Sequence, residues 1–138
     1  MDVLSSRLLL RPTDPDRSQA FYRDVLGLAV YREFGPPEHR GLVFFLGNGL
    51  LEVSGRAAER PHGLALWVQV RDLAAEVARL TRAGVPVVAE PVLQPWGLLE
   101  ATVEDPDGVA IVLVEVPAGH PLRTDLRTPE QGLPPQST

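Results

Sequence analysis

Arg7-Leu8-Leu9-Leu10-Arg11-Pro12-Thr13-Asp14 and Ala65-Leu66-Trp67-Val68-Gln69-Val70-Arg71-Asp72 are two short apolar runs, each closed by an aspartate. Such an aspartate caps a following helix, and in the first run Pro15 suits the first helical turn. Apolar stripes at helical spacing follow in both places: Phe21, Val25 and Leu28, then Leu73, Val77 and Leu80. Gly27 and Gly84 stand where a left-handed cap would end each helix. Three strand-like runs come next in each half, at residues 28–34, 41–46 and 50–53 and at residues 85–89, 98–103 and 109–116. Gly47-Asn48-Gly49 and Asp105-Pro106-Asp107-Gly108 supply the turn before the last strand of each half. The order is βαβββ twice, which predicts an α+β domain over residues 1–116, with one module at about 5–56 and a second at about 62–116. Residues 117–138 carry five prolines in 22 positions and read as an extended tail.

The 138 residues include 18 acidic side chains, 13 basic ones, three histidines and no cysteine, for a net charge of −5. That length makes one ordinary domain able to bury a core without disulfides. The absence of sulfur ligands excludes a zinc ribbon, an iron–sulfur cluster and a thiol nucleophile. The acidic balance argues against nucleic acid as a partner and would suit a cationic ligand. All 13 basic residues are arginine, whose planar fork suits carboxylates and stacked partners. No apolar run approaches the roughly 18 residues of a membrane span, and the first residues lack a secretion signal. The expectation is a cytoplasmic protein with no membrane contact.

Side chains alternate across a strand, so the face under a helix should be uniformly apolar while the other is free for chemistry. Leu8 and Leu10 form one face of the first strand, leaving Arg7, Leu9 and Arg11 opposite. Leu66, Val68 and Val70 leave Ala65, Trp67 and Gln69; Leu51 and Val53 leave Leu50, Glu52 and Ser54. A concave face holding Arg7, Leu9, Arg11, Glu52, Trp67 and Gln69 follows. The last strand is apolar on both faces, so parity does not orient it.

The doubled βαβββ order, Phe21-Tyr22-Arg23-Asp24-Val25-Leu26-Gly27-Leu28 in the first half, and Gln94-Pro95-Trp96-Gly97 followed by Asp105-Pro106-Asp107-Gly108 in the second resemble the vicinal oxygen chelate superfamily. That superfamily contains glyoxalase I, extradiol dioxygenases and the bleomycin-resistance proteins. The resemblance spans roughly residues 5–116 and implies paired modules, usually completed by homodimerisation, whose sheets form a cup around a ligand. It implies four metal-ligand positions in the metal-dependent members, which here are Arg7, Glu52, Ala65 and Val112. Only Glu52 retains a ligand. A guanidinium, a methyl and an isopropyl group offer a metal no donor, so the expectation is that Arg7 and Glu52 pair directly where a metal would sit.

The histidines do not restore a ligand set. His62 falls on the other parity or in the preceding loop unless a bulge shifts it, His39 follows Pro36-Pro37-Glu38, and His120 lies in the tail. Trp67 and Trp96 offer flat surfaces for an aromatic ligand, or ordinary core or dimer packing. Tyr31 and Phe34 lie on the second strand, where the resemblance implies pocket aromatics. Arg11 either holds a ligand carboxylate or is solvated. Asp105 and Asp107 read as turn-formers beside Pro106 and Gly108. No phosphate loop or nucleophile elbow is present, so Glu52 is the one candidate acid or base.

The favoured reading is a metal-free, cofactor-free homodimer of the bleomycin-resistance type. It would bind a small, partly aromatic antibiotic or metabolite through Arg7, Leu9, Arg11, Tyr31, Phe34, Glu52, Trp67, Gln69, Trp96 and Val112. The alternatives are a metal-dependent lyase, isomerase or dioxygenase of the same fold, and a non-catalytic assembly module.

Overall fold

Two four-stranded mixed sheets account for the eight strands, with orders β1-β4-β3-β2 and β5-β8-β7-β6. The structure is a computed structural model that describes residues 1–122. The first sheet contains β1 (Leu8–Leu10), β2 (Val30–Phe34), β3 (Gly41–Leu46) and β4 (Gly49–Val53). The second contains β5 (Ala65–Gln69), β6 (Val87–Leu93), β7 (Leu99–Glu104) and β8 (Ala110–Glu115). In each sheet the first strand runs parallel to the last, which requires a helical crossover between the first and second strands. Those crossovers are α1 (Pro15–Ala20) and α2 (Leu73–Arg82). Asp14 caps α1 through the Arg17 N–H, and Asp72 caps α2 through the Ala75 N–H. Gly27 and Gly84 take φ of 81° and 82°, the left-handed geometry that ends a helix cheaply only with glycine. The fold is the α+β, doubled βαβββ architecture.

One core joins both modules. Leu10, Phe44, Leu51 and Val53 from the first sheet meet Leu66, Val103, Ile111 and Leu113 from the second, with Phe21, Tyr22, Leu73, Val77 and Leu80 from the helical segments. Two polar latches cross the same junction. The Tyr22 hydroxyl donates to Asp105 at 2.8 Å, and Asp107 accepts from the Thr13 N–H at 2.8 Å and from the Thr13 hydroxyl. Arg79 of α2 donates to the Val25 carbonyl at 2.8 Å and the Leu26 carbonyl at 3.2 Å, covering acceptors that the end of the first helical segment leaves open. Among the described residues no helix is long and apolar enough to cross a membrane.

Several local expectations are corrected. The first helix widens after Ala20 into a π-helical turn, Phe21–Val25, in which the Leu26 N–H reaches the Phe21 carbonyl. That turn seats adjacent Phe21 and Tyr22 in the core with their rings edge to face. Leu8, expected beneath the helix, is 36% exposed, because β1 is a three-residue edge strand whose start overhangs the core. β6 continues past Ala89 to Leu93, through Pro91. The register shifts between Ala89 and Val92, so the proline occupies an irregularity on an edge strand where a missing N–H costs no ladder bond. The tail read from residue 117 turns back at its start, where the His120 N–H bonds to the Pro117 carbonyl. Its residues 123–138 lie outside the described residues.

Candidate functional site

The sheet face turned away from the helices is built from three rows in the first module. Leu9 pairs with Glu52, Glu52 with Val43, and Val43 with Arg32. On one side, Phe45 pairs with Leu50, and the β1 register continued by one residue sets Arg7 beside Leu50. On the other, Phe34 pairs with Gly41, and the same continuation sets Arg11 beside Ser54. Parity therefore places Arg7, Leu9, Arg11 and Glu52 on one face, as read from the sequence.

Glu52 is the centre of a charge cluster. Arg7 Nη1 donates to Oε2 at 3.0 Å, while Oε1 receives Arg11 Nη1 at 3.3 Å and the Ser54 hydroxyl at 2.7 Å. The Arg11 Nη1 also reaches the Ser54 carbonyl at 3.3 Å and its hydroxyl. The Ser54 hydrogen bond, with those from Arg7 and Arg11, holds the Glu52 carboxyl below the usual carboxylate range, and partial burial opposes the shift. Glu52 is thus a fixed anion with both oxygens engaged, poorly suited to take a proton near neutrality. The sequence identified the Arg7 pairing; Arg11 as a second cation on the same carboxylate, and Ser54 as its positioning hydroxyl, were missed.

Aromatic groups flank this cluster. The Phe34 ring lies across Gly41, where a side chain would collide with it, and Arg32 stacks over that ring with its guanidinium carbon 5.8 Å from the centroid. At the opposite end Tyr31 and Phe45 meet edge to face at 5.2 Å, and both are half-exposed. Tyr31 reaches this face because the β2–β3 register shifts between Val30 and Arg32. Beside Phe45 and Leu50 a cleft of about 520 Å³ opens against residues 3–6.

The corresponding face of the second sheet holds Trp67 and Gln69 on β5, paired with Val112 and Val114 of β8. β8 is thereby oriented: Ile111 and Leu113 enter the main core, while Val112 and Val114 face the other way. Trp67 is half-exposed, and Ala65 is exposed. The turn before β7 folds over one end of this face, so that Leu98, Val114 and Val116 form a small second cluster. Trp96 stands exposed on that turn with its indole N–H on Glu100 at 2.7 Å. His120 packs behind it. Its Nδ1 accepts from the Leu122 N–H at 3.1 Å, which leaves Nε2 to donate to the Trp96 carbonyl at 3.1 Å.

Arg7, Ala65 and Val112 supply no donor atom, and the oxygens of Glu52 are occupied by two guanidiniums and a hydroxyl. Among the described residues no group of three or more histidine, cysteine, aspartate or glutamate side chains could hold a metal ion. His62 is exposed in the loop before β5 rather than shifted onto the sheet, and His39 ends an exposed 3₁₀ turn, Pro37–His39. These residues do not fit a divalent metal.

Neither candidate face is fully covered within one chain. Leu9, Tyr31 and Phe45 on the first sheet and Trp67 on the second each keep about half their surface open. A further cleft of about 530 Å³ lies elsewhere, at the module junction, lined by Phe21, Val25, Val85 and Asp105 among others. It contains none of the predicted ligand residues.

Comparison with known proteins follows the same lines. Residues 5–113 match the family model described as Glyoxalase/Bleomycin resistance protein/Dioxygenase superfamily. A lactoylglutathione lyase of Haemophilus influenzae is 35% identical over 123 residues, covering 78% of this chain and 88% of that protein. The crystal structure of TnmS3, an antibiotic binding protein from Streptomyces sp. CB03234, superposes with a TM-score of 0.71 at 23% identity, over 84% of this chain and 98% of that one. A glyoxalase/bleomycin resistance protein from the same Streptomyces strain gives a TM-score of 0.65 at 25% identity, over 79% of this chain and 97% of that one.

Proposed function

The chain belongs to the glyoxalase/bleomycin resistance protein/dioxygenase superfamily, and from that premise we propose that it is a metal-free binding protein for a small, partly aromatic molecule. The observation that carries this reading is the engagement of both Glu52 oxygens by Arg7, Arg11 and Ser54, which puts two cations where metal-dependent members would gather ligands. The ligand lies between the open face of the first sheet of one copy and that of the second sheet of another. Half-exposed Leu9, Tyr31, Phe45 and Trp67 support this arrangement, since a second copy would cover them while leaving room for a flat molecule. The similarity to a protein described as a glyoxalase/bleomycin resistance protein is the comparison that supports a binding role. Binding without turnover is the result.

A second reading, a lyase, is favoured by the 35% identity to lactoylglutathione lyase. Metal analysis after dialysis separates the two. The binding reading expects no stoichiometric divalent metal, together with saturable quenching of tryptophan fluorescence by an aromatic ligand that weakens in Trp67→Ala. Stoichiometric metal that is lost on Glu52→Ala, with lyase turnover of a hemithioacetal, would overturn it.

A further inference from the structure

The net charge of −5 suggests a cationic ligand, but the charge on the candidate face has the opposite sign. Arg7, Arg11 and Arg32 share the open face of the first sheet, and among the described residues Glu52 is the one carboxylate that pairs with Arg7 and Arg11. Glu33, next in sequence, has the opposite strand parity and is engaged by Arg40 at 2.7 Å. The excess on this sheet face is therefore positive, whatever the sign of the whole chain, while Glu100, which shares the second sheet's face with Val114, accepts the Trp96 indole N–H.

The guanidiniums are also underused. Arg7 spends only Nη1, on Glu52, and Arg11 spends only Nη1, on Glu52 and Ser54. Among the described residues Nε and Nη2 of both have no hydrogen-bond acceptor, although each guanidinium offers a fork suited to a carboxylate. Their side chains remain 33% and 46% exposed, so neither guanidinium-bearing side chain is sealed beneath the surface. Glu52 and Ser54 hold both groups on this face in advance, which lowers the ordering cost of binding.

An apolar platform lies within reach. Leu50 shares the face with Glu52 two residues earlier on β4, a separation of roughly 7 Å along a strand. Beside Leu50 stand Phe45, Tyr31 and the cleft against residues 3–6. About 7 Å is the span from a carboxylate to the far part of a fused two-ring system.

We infer that the ligand is an aromatic carboxylate, anchored by its carboxylate on Arg7 and Arg11 with its rings laid toward Leu50, Phe45 and Tyr31. The inference rests on the binding reading above and names the class of molecule bound. It differs from the cationic ligand that the overall charge suggests.

The test uses three probes of one shape on the full-length protein by calorimetry: 2-naphthoate, 2-naphthamide and 2-naphthylmethylammonium. Naphthoate should bind at least about tenfold more tightly than the amide, with the ammonium weakest. The advantage of naphthoate should shrink as sodium chloride is raised, because these guanidiniums are partly solvated. Arg11→Gln should remove most of the naphthoate advantage, while Arg11→Lys should retain part of it. Equal binding of naphthoate and amide, or tighter binding of the ammonium, would overturn the carboxylate assignment and leave the binding reading standing. Failure of all three probes to bind the folded protein at millimolar concentration would overturn both.

Discussion

The Tyr22 hydroxyl donates to Asp105 at 2.8 Å, joining the π-helical turn of the first module to the turn between β7 and β8 of the second. The other Asp105 oxygen accepts the N–H groups of Asp107 and Val109 at 2.9 Å each, so the carboxylate that shapes its own turn also fastens the two halves. Burial nevertheless raises the Asp105 carboxyl above its ordinary value, opposed by these hydrogen bonds. Burial and the adjacent Asp105 push the Tyr22 hydroxyl above the ordinary tyrosine range.

Tyr22→Phe removes a donor from a buried carboxylate and should destabilise the fold by about 1.5–3 kcal/mol in urea denaturation. Because Tyr22 keeps its proton in the folded state to higher pH than in the unfolded chain, its contribution is present below about pH 10 and is lost as pH rises beyond that. Wild type should therefore lose stability more steeply than Tyr22→Phe on the alkaline side. Parallel alkaline limbs would show that Tyr22 ionises without cost in the folded state.

Glu52 behaves with the opposite sign. Its folded-state pKa is lowered, so its contribution is complete above the unfolded value of about 4.3 and is lost as pH falls through the lower folded value. Glu52→Gln should cost about 1–2 kcal/mol at pH 7, between an exposed pair and a fully buried one, since both arginines are partly solvated. The gap between wild type and variant should close on acidification. A gap that is unchanged at pH 3 would show that packing, not charge, accounts for the loss.

Gly41 lies beneath the Phe34 ring, and a Cβ at that position would overlap it. Gly41→Ala should displace the ring and cost about 1–3 kcal/mol as overpacking. Phe34→Ala should largely abolish that cost, because the clash needs both partners. A double-mutant cycle measures this directly: additive losses would mean that Gly41 is required by the backbone and not by the ring.

Strand alternation set Arg7 and Glu52 on one face and the family resemblance marked both as metal-ligand positions, and the two together made their pairing legible. Arg11 escaped assignment to the same carboxylate because that contact depends on the parallel β1–β4 register, in which Leu9 pairs with Glu52 and the neighbouring long side chains converge on it. Nor does periodicity reveal Tyr22 and Asp105, which are 83 positions apart and meet only when the modules dock. Asp105 and Asp107 were read as turn residues, which they are; their additional partners lie in the other module. The run predicted at residues 85–89 stops short of the end of β6, because Pro91 is compatible with a strand only at an edge irregularity that three-dimensional pairing creates.

The remaining prediction concerns assembly. Leu9, Tyr31 and Phe45 on one sheet and Trp67 on the other leave large apolar surfaces half-open on faces that carry no helix. Covering the remaining half of a side chain of this size contributes about 1 kcal/mol, so several together from each copy can offset the entropy of association. In sedimentation equilibrium the wild type should have twice the 15.0 kDa chain mass. Trp67→Glu puts a charge where an apolar ring would be covered and should weaken association by at least tenfold. Because Trp67 is half-exposed in the single chain, the same substitution should leave the unfolding free energy of a dilute, dissociated sample within about 0.5 kcal/mol of wild type. A wild type that stays monomeric at high concentration would sink the shared-face arrangement. A Trp67→Glu variant that stays dimeric would move the interface away from the second sheet.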